Sequence, residues 1–213
     1  PFALTKFNLT VLIFFIIAVG ASEAAFFYLR QARNYYDIDT EYSRLRVYEP
    51  DTPQNGKKVR VLTFDPHTVQ SKMYLDSDEL AAEYTKFYHL LRHFNPDFQK
   101  TLMIGGAGYS FPNGRFFLNQ AESEKYDAVL MDAFGSLFSV PFHLTTVEAA
   151  REISRILKDD GIAIFNIGGA IKGEASGFFQ AELNTYRQVF PRLYLFKVYS
   201  DTDDRQIQNL IVV

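Results

Sequence analysis

Two places in this chain combine residue types and spacing that could do chemistry. In the first, the short apolar strand Lys100 to Ile104 (KTLMI) runs directly into Gly105-Gly106-Ala107-Gly108. Glycines directly after a strand let the backbone approach a ribose or phosphate closely, with helix N-terminal amides nearby. In the second, a buried strand from Tyr126 to Met131 (YDAVLM) ends in Asp132. Ligands of open α/β sheets gather beyond the carboxyl ends of such strands, so Asp132 is well placed for chemistry. A carboxylate that merely caps the strand end is the competing reading. His89 and His93 stand at i and i+4, a spacing that could hold a metal. HLLRH lacks the central glutamate of a metalloprotease helix and shows no third ligand, so no metal is expected. Tyr84, earlier on the same stretch, is open to two readings, ligand contact or core.

The rest of the chain must position these groups. Its 213 residues are 47% hydrophobic and 22% charged, enough to bury one or two cores. The net charge of −3 forms no basic stripe that would track a phosphate backbone, so nucleic acid is not an expected partner. With no cysteine there is no disulfide framework, thiolate metal site or cysteine nucleophile.

Tyr42 to Tyr48 and Val59 to Phe64 alternate around the turn-rich DTPQNGKK, predicting a β-hairpin. A third strand is expected over His67 to Leu75, carrying Gln70. Ser77 can cap a helix with Asp78 and Glu79 in its first turn, and Leu80, Tyr84, Phe87, Leu91 and Phe94 supply its stripe up to Asn95-Pro96. Beyond Asp132, Thr145-Thr146-Val147-Glu148 reads as a capping box. It opens a helix with Ala149, Ala150, Ile153, Ile156 and Leu157 inward, ending at Gly161. Ile162 to Ile167 is a strand and Phe178 to Phe190 a helix. Leu193 to Tyr199 and Ile207 to Val213 form an antiparallel hairpin around the solvated turn DTDDRQ. A mostly parallel sheet closing in such a hairpin is an α/β order found in nucleoside-dependent transferases.

Leu9 to Leu29 (LTVLIFFIIAVGASEAAFFYL) is close to the ~20 residues that cross a bilayer core. Lys6 before it, with Arg30 and Arg33 after it, weakly places the following domain in the cytoplasm, on a cell-membrane anchor. A secretory signal peptide cleaved near Ser22-Glu23-Ala24 is the rival reading, although the apolar pattern continues through Phe26, Phe27 and Tyr28. Within a span, Glu23 would cost about 2.5–3.5 kcal/mol. It would either face another helix or polar cavity, or reach for the interface.

Taken together, these pieces resemble the spermidine synthase (polyamine aminopropyltransferase) family, and more closely its membrane-fused bacterial branch. The resemblance covers about Tyr42 to Val213. It is carried by FDPHTVQS, with Asp65, Gln70 and Ser71, by Leu75-Asp76, by IGGAGYSFP, and above all by YDAVLMDAFGS followed by VPFHLTT. It implies a Rossmann-like domain over 77–213, a small N-terminal β domain over 35–76, and a transmembrane helix with its flank over 1–34. The implied reaction moves an aminopropyl group from decarboxylated S-adenosylmethionine to a small amine, with Asp132 as the catalytic carboxylate. Gly105, Gly106, Ala107, Gly108 and Asn113 would then bind the nucleoside, and Gln70 and Tyr84 the amine. The family's frequent dimers imply a homodimer.

Departures from the pattern are specific. Gly108 stands where the family places an aspartate, Tyr109 where it usually has glycine, and the second acid of the loop after Asp132 is missing. These leave room for another S-adenosylmethionine-dependent transferase, such as a methyltransferase, and for a membrane-associated sensor or scaffold without turnover. Asn113-Gly114-Arg115-Phe116-Phe117-Leu118 resembles a later family segment whose first residue reads the adenine amino group. Several tens of residues, including those that grip the ribose, are therefore expected to be absent from the sequence between Pro112 and Asn113.

Overall fold

The structure is a computed structural model, and it describes residues 9–32, 35–39, 44–64, 69–105, 114–133 and 141–213. The glycine-turn residues Gly106, Ala107 and Gly108, Asn113 and the Pro112-Asn113 junction lie outside the described residues, as do Tyr42 and Asp65.

Helix α1 (Leu9–Ala32) is uniformly apolar rather than two-faced. Its Thr10–Leu29 stretch has mean hydropathy 2.2, with none of it buried against the protein. A bilayer span and a signal sequence share these properties.

Strands β1 (Tyr36–Asp39), β2 (Arg44–Tyr48), β3 (Val59–Thr63) and β4 (Val69–Tyr74) form an antiparallel sheet in that order. The predicted pairing is present, with Arg46 opposite Thr63 and Tyr48 opposite Val61. The connection carries its own tight turn at Asn55-Gly56, both at positive φ, which suits Asn-Gly. Strand β1 was not anticipated. Its alternation, Tyr36 and Ile38 against Asp37 and Asp39, spans four residues, and Arg44 fixes it to β2 by donating twice to Asp37 at 2.6 Å.

The helix expected from Ser77 starts later than its cap signal. Ser77 does accept from the Glu79 amide, but helical structure begins with a 3-10 segment over Glu83–His89 that runs into α2 (Leu90–Phe94). Packing explains the delay. Ala81 is buried with Val59, Val61 and Tyr74 of the small sheet, and its carbonyl accepts from Gln54 Nε2, so this stretch is drawn out as a connector.

The second sheet has the order β5-β6-β7-β9-β8. Strands β5 (Thr101–Gly105), β6 (Tyr126–Asp132) and β7 (Leu157–Gly169) run parallel, while β9 (Gln208–Val212) is antiparallel to both β7 and β8 (Leu195–Lys197). The predicted parallel sheet with a closing hairpin is thus present. Between β5 and β6 lies α3 (Gly114–Gln120), and α4 (Val147–Ile156) and α5 (Gly177–Arg187) flank β7. Side-chain alternation divides β6. Val129 and Met131 join Leu118, Ile153, Phe165 and Phe179 on one face, whereas Ala128 and Leu130 join Leu91, Ile164 and Ile211 on the other.

Helix α4 corrects the expected capping by one residue. Thr146, not Thr145, accepts from the Ala149 amide, and the Thr145 hydroxyl donates to Phe142 O. The helix also ends at Ile156 rather than at Gly161. Leu157 turns extended to pair with Tyr126, and Lys158 is drawn to Asp127 at 2.6 Å, so tertiary contacts override a helix-compatible sequence.

Candidate active site

Because β6 alternates, Asp132 falls on the face of Ala128 and Leu130, toward the Glu83–Phe94 segment. Tyr84, from that segment, donates to Asp132 Oδ2 at 3.1 Å. Asn166 Nδ2, from the adjacent β7, donates to Oδ1 at 2.8 Å. Asn209 Nδ2 on β9 donates in turn to Asn166 Oδ1 at 2.9 Å, which fixes the orientation of the amide. No cation among the described residues pairs with Asp132, so its oxygens are held by neutral donors alone. Burial therefore dominates and raises the Asp132 pKa, partly offset by hydrogen bonding from Asn166, Tyr84 and Tyr88. The Tyr84 phenol is itself pushed up, by burial first and then by the neighbouring carboxylate. Such a carboxyl is a stronger base than an exposed one, set at a strand end among groups that do not neutralise it.

Of the two residues expected to meet an amine, Tyr84 is thus in contact with Asp132. Gln70 on β4 reaches the site through its carbonyl, 3.4 Å from the Tyr84 hydroxyl, so the small sheet borders the carboxylate. His93 packs edge-on against Phe94, and no group of three or more His, Asp or Glu suited to a metal occurs among the described residues.

Gly105 takes φ +92° opposite Asp132 in the parallel register. A Cβ there would stand 2.0 Å from the Asp132 carbonyl oxygen. The glycine is therefore required by the approach of β5 to β6 at their carboxyl ends, a structural demand that the sequence reading assigned to ligand approach alone.

Sequence reasoning missed Asn166 and Tyr88. An amide inside the apolar strand IAIFNI was the available signal for Asn166, which is buried. Tyr88 follows Tyr84 by four residues, and the two rings meet edge to face with centroids 6.2 Å apart. Its hydroxyl is buried and acts on Asp132 as a weak donor, without forming a well-aligned hydrogen bond with any described residue.

A second buried carboxylate, Glu182, lies on the opposite face of the sheet, where Tyr186 donates to it at 2.7 Å. With Met131, Ala133, Leu144 and Phe165 it lines a cavity of about 20 Å³, room for about one water. Burial pushes its pKa up to about 7.

Comparisons with known proteins bear on this geometry. No family model matches the chain. In sequence it is similar to a polyamine aminopropyltransferase of Vibrio vulnificus (strain CMCP6), 28% identical over 121 residues. That match covers 56% of this chain and 36% of the relative, so the chain spans about a third of the length of the curated protein it matches. In fold it is similar to a probable spermidine synthase from Corynebacterium glutamicum ATCC 13032, with TM-score 0.64 and 16% identity over 83% of this chain and 78% of that one. A spermidine synthase crystallised with the transition-state analogue AdoDATO gives TM-score 0.56 at 15% identity, over 84% and 73% of the two chains. The spermidine synthase of Thermotoga maritima gives 0.55 at 15%, over 84% and 72%. The likeness to the spermidine synthase family, first carried by sequence motifs, therefore holds in sequence and in fold.

Proposed function

We propose that this chain is a transferase that moves an aminopropyl group from decarboxylated S-adenosylmethionine to a small amine. The observation that carries this reading is Asp132, a half-buried carboxylate at the end of β6 held by Tyr84 and Asn166 with no cation paired to it among the described residues. The sequence likeness to a polyamine aminopropyltransferase and the fold likeness to a spermidine synthase bound to AdoDATO support it.

In the proposed step, the amine nitrogen attacks the carbon next to the sulfonium and forms the new C–N bond. The C–S bond breaks with its electron pair going to sulfur, which leaves as a neutral thioether. The proton lost by nitrogen passes to Asp132, whose burial-raised pKa favours taking it; a positioned base contributes about 10²–10⁴-fold. Asn166 and Tyr84 keep the carboxylate aimed while it changes charge. Gly105, with Gly106, Ala107, Gly108 and Asn113, is proposed to hold the nucleoside, and Gln70 and Tyr84 to border the amine. Residues 1–34, 35–76 and 77–213 would serve as membrane anchor, β domain and nucleoside domain. The last of these faces the cytoplasm in this reading, in a homodimer.

Calorimetry of the full chain in detergent with decarboxylated S-adenosylmethionine, S-adenosylmethionine and methylthioadenosine tests the reading. Tight binding of the decarboxylated form over the intact one is expected. Preference for the intact form points instead to methyl transfer, and absence of binding to a sensor or scaffold.

A further inference from the structure

Resting on that reading, we infer that Tyr88 is a specificity-determining residue whose hydroxyl accepts a hydrogen bond from the substrate amine beside Asp132. Tyr88 sits on the Glu83–His89 segment four residues after Tyr84, and the two rings meet edge to face. Both phenols are directed at the same carboxylate. Tyr84 bonds Asp132 Oδ2 and Asn166 bonds Oδ1, so each oxygen already has a neutral donor. The Tyr88 hydroxyl is buried in the same place, close enough to act on Asp132 as a weak third donor yet short of a well-formed hydrogen bond with any described residue, which leaves its oxygen lone pairs free to accept. Asp132 and Tyr84 nevertheless raise its pKa beyond what burial does, which places all three groups in one electrostatic neighbourhood.

A phenol hydroxyl can donate one hydrogen bond and accept others. An amine approaching Asp132 brings N–H groups that need acceptors, and once Tyr84 and Asn166 have taken one position on each carboxylate oxygen, the Tyr88 oxygen supplies a further one. Aromatic faces beside a carboxylate also suit a cationic amine. The inferred contact places the reacting nitrogen between Asp132 and Tyr88.

The test is Tyr88→Phe in the full chain, with Tyr88→Leu as a second variant that keeps an apolar side chain. Steady-state kinetics with a series of linear alkyl diamines is paired with calorimetric amine binding in the presence of methylthioadenosine. We expect the amine KM and dissociation constant to rise about tenfold in both variants, the loss of one well-placed hydrogen bond. Nucleoside affinity should not change, and the melting temperature of Tyr88→Phe should hold, because the hydroxyl it removes makes no well-formed hydrogen bond with a described residue. Unchanged amine affinity overturns the contact. So does a fall in kcat at constant KM, which would mean that Tyr88 acts only through Asp132. Wild-type protein that neither binds nor turns over any amine brings down the transferase reading and this contact together. Wild-type activity with indifferent variants removes Tyr88 alone.

Discussion

Strand β6 carries an aspartate at each end, and the two are held in opposite ways. Asp127, near the amino end, accepts from the backbone amides of Gln99 and Lys100 at 3.0 and 2.7 Å and from Lys158 Nζ at 2.6 Å. The lysine foremost, then the amides, hold its carboxyl well below the usual carboxylate range. Asp132, five residues on, receives phenols and an amide but no cation among the described residues, and burial raises its pKa. One carboxylate is neutralised and ties the start of β5 to the start of β7. The other is left able to exchange a proton at the end of the sheet where ligands collect. Surroundings, not residue type, separate the clamped acid from the one proposed to do chemistry.

The sharpest way to break this contrast is to substitute each aspartate in turn. Asp132→Asn should lower turnover by about 10²–10⁴-fold while sparing nucleoside binding and thermal stability, as measured by single-turnover assay, calorimetry and melting. Unchanged turnover removes Asp132 from the mechanism. In the wild type, the acid limb of the rate profile should lie above the ordinary carboxylate range, because the raised pKa means Asp132 protonates earlier as pH falls.

Asp127→Ala should show the reverse pattern. Its melting temperature falls by several degrees, and turnover per folded molecule is retained. The depressed folded pKa sets the sign: Asp127 contributes stability above its unfolded pKa and loses it as pH falls through the folded one. The variant should therefore differ most from wild type near neutral pH and converge with it in acid. Equal acid sensitivity of the two proteins would refute the clamp.

Glu182 extends the comparison to a third acid, buried with no cation paired to it among the described residues but bonded to Tyr186 on the other face of the sheet. Its pKa is raised to about 7, so the stability it contributes is present below the ordinary glutamate value and is lost as pH rises through about 7. Glu182→Gln should accordingly gain on wild type between about pH 4.5 and 7, by about 3 kcal/mol at most, in chemical denaturation across that range. A constant difference over the range would mean that the carboxyl ionises without hindrance.

Much of the frame was legible in the residues. The runs KTLMI, YDAVLM and IAIFNI are short, apolar and bounded by turn residues, so their becoming buried parallel strands follows from composition and spacing. The end of YDAVLM marked Asp132, because a carboxylate closing such a strand stands where the sheet stops burying side chains. Element boundaries were harder to read. Ser77 carries a cap signal and Leu157 sits on a helical stripe, but Ala81 is drawn onto the small sheet and Lys158 onto Asp127. Both contacts join residues far apart in sequence, which local propensity does not register.

By itself, then, the sequence determined the central runs of the main sheet, the apolar N-terminal helix, the family likeness and the carboxylate on which chemistry would centre. The tertiary structure decided which side chains face that carboxylate. Strand alternation turned Asp132 toward the Tyr84 and Tyr88 segment, parallel pairing brought up Asn166 from 34 residues away, and the close approach of β5 to β6 required glycine at position 105. Periodicity along a chain reports which face a residue takes, whereas the identity of its neighbour across the sheet depends on strand order and register, which emerge only when the whole core is packed.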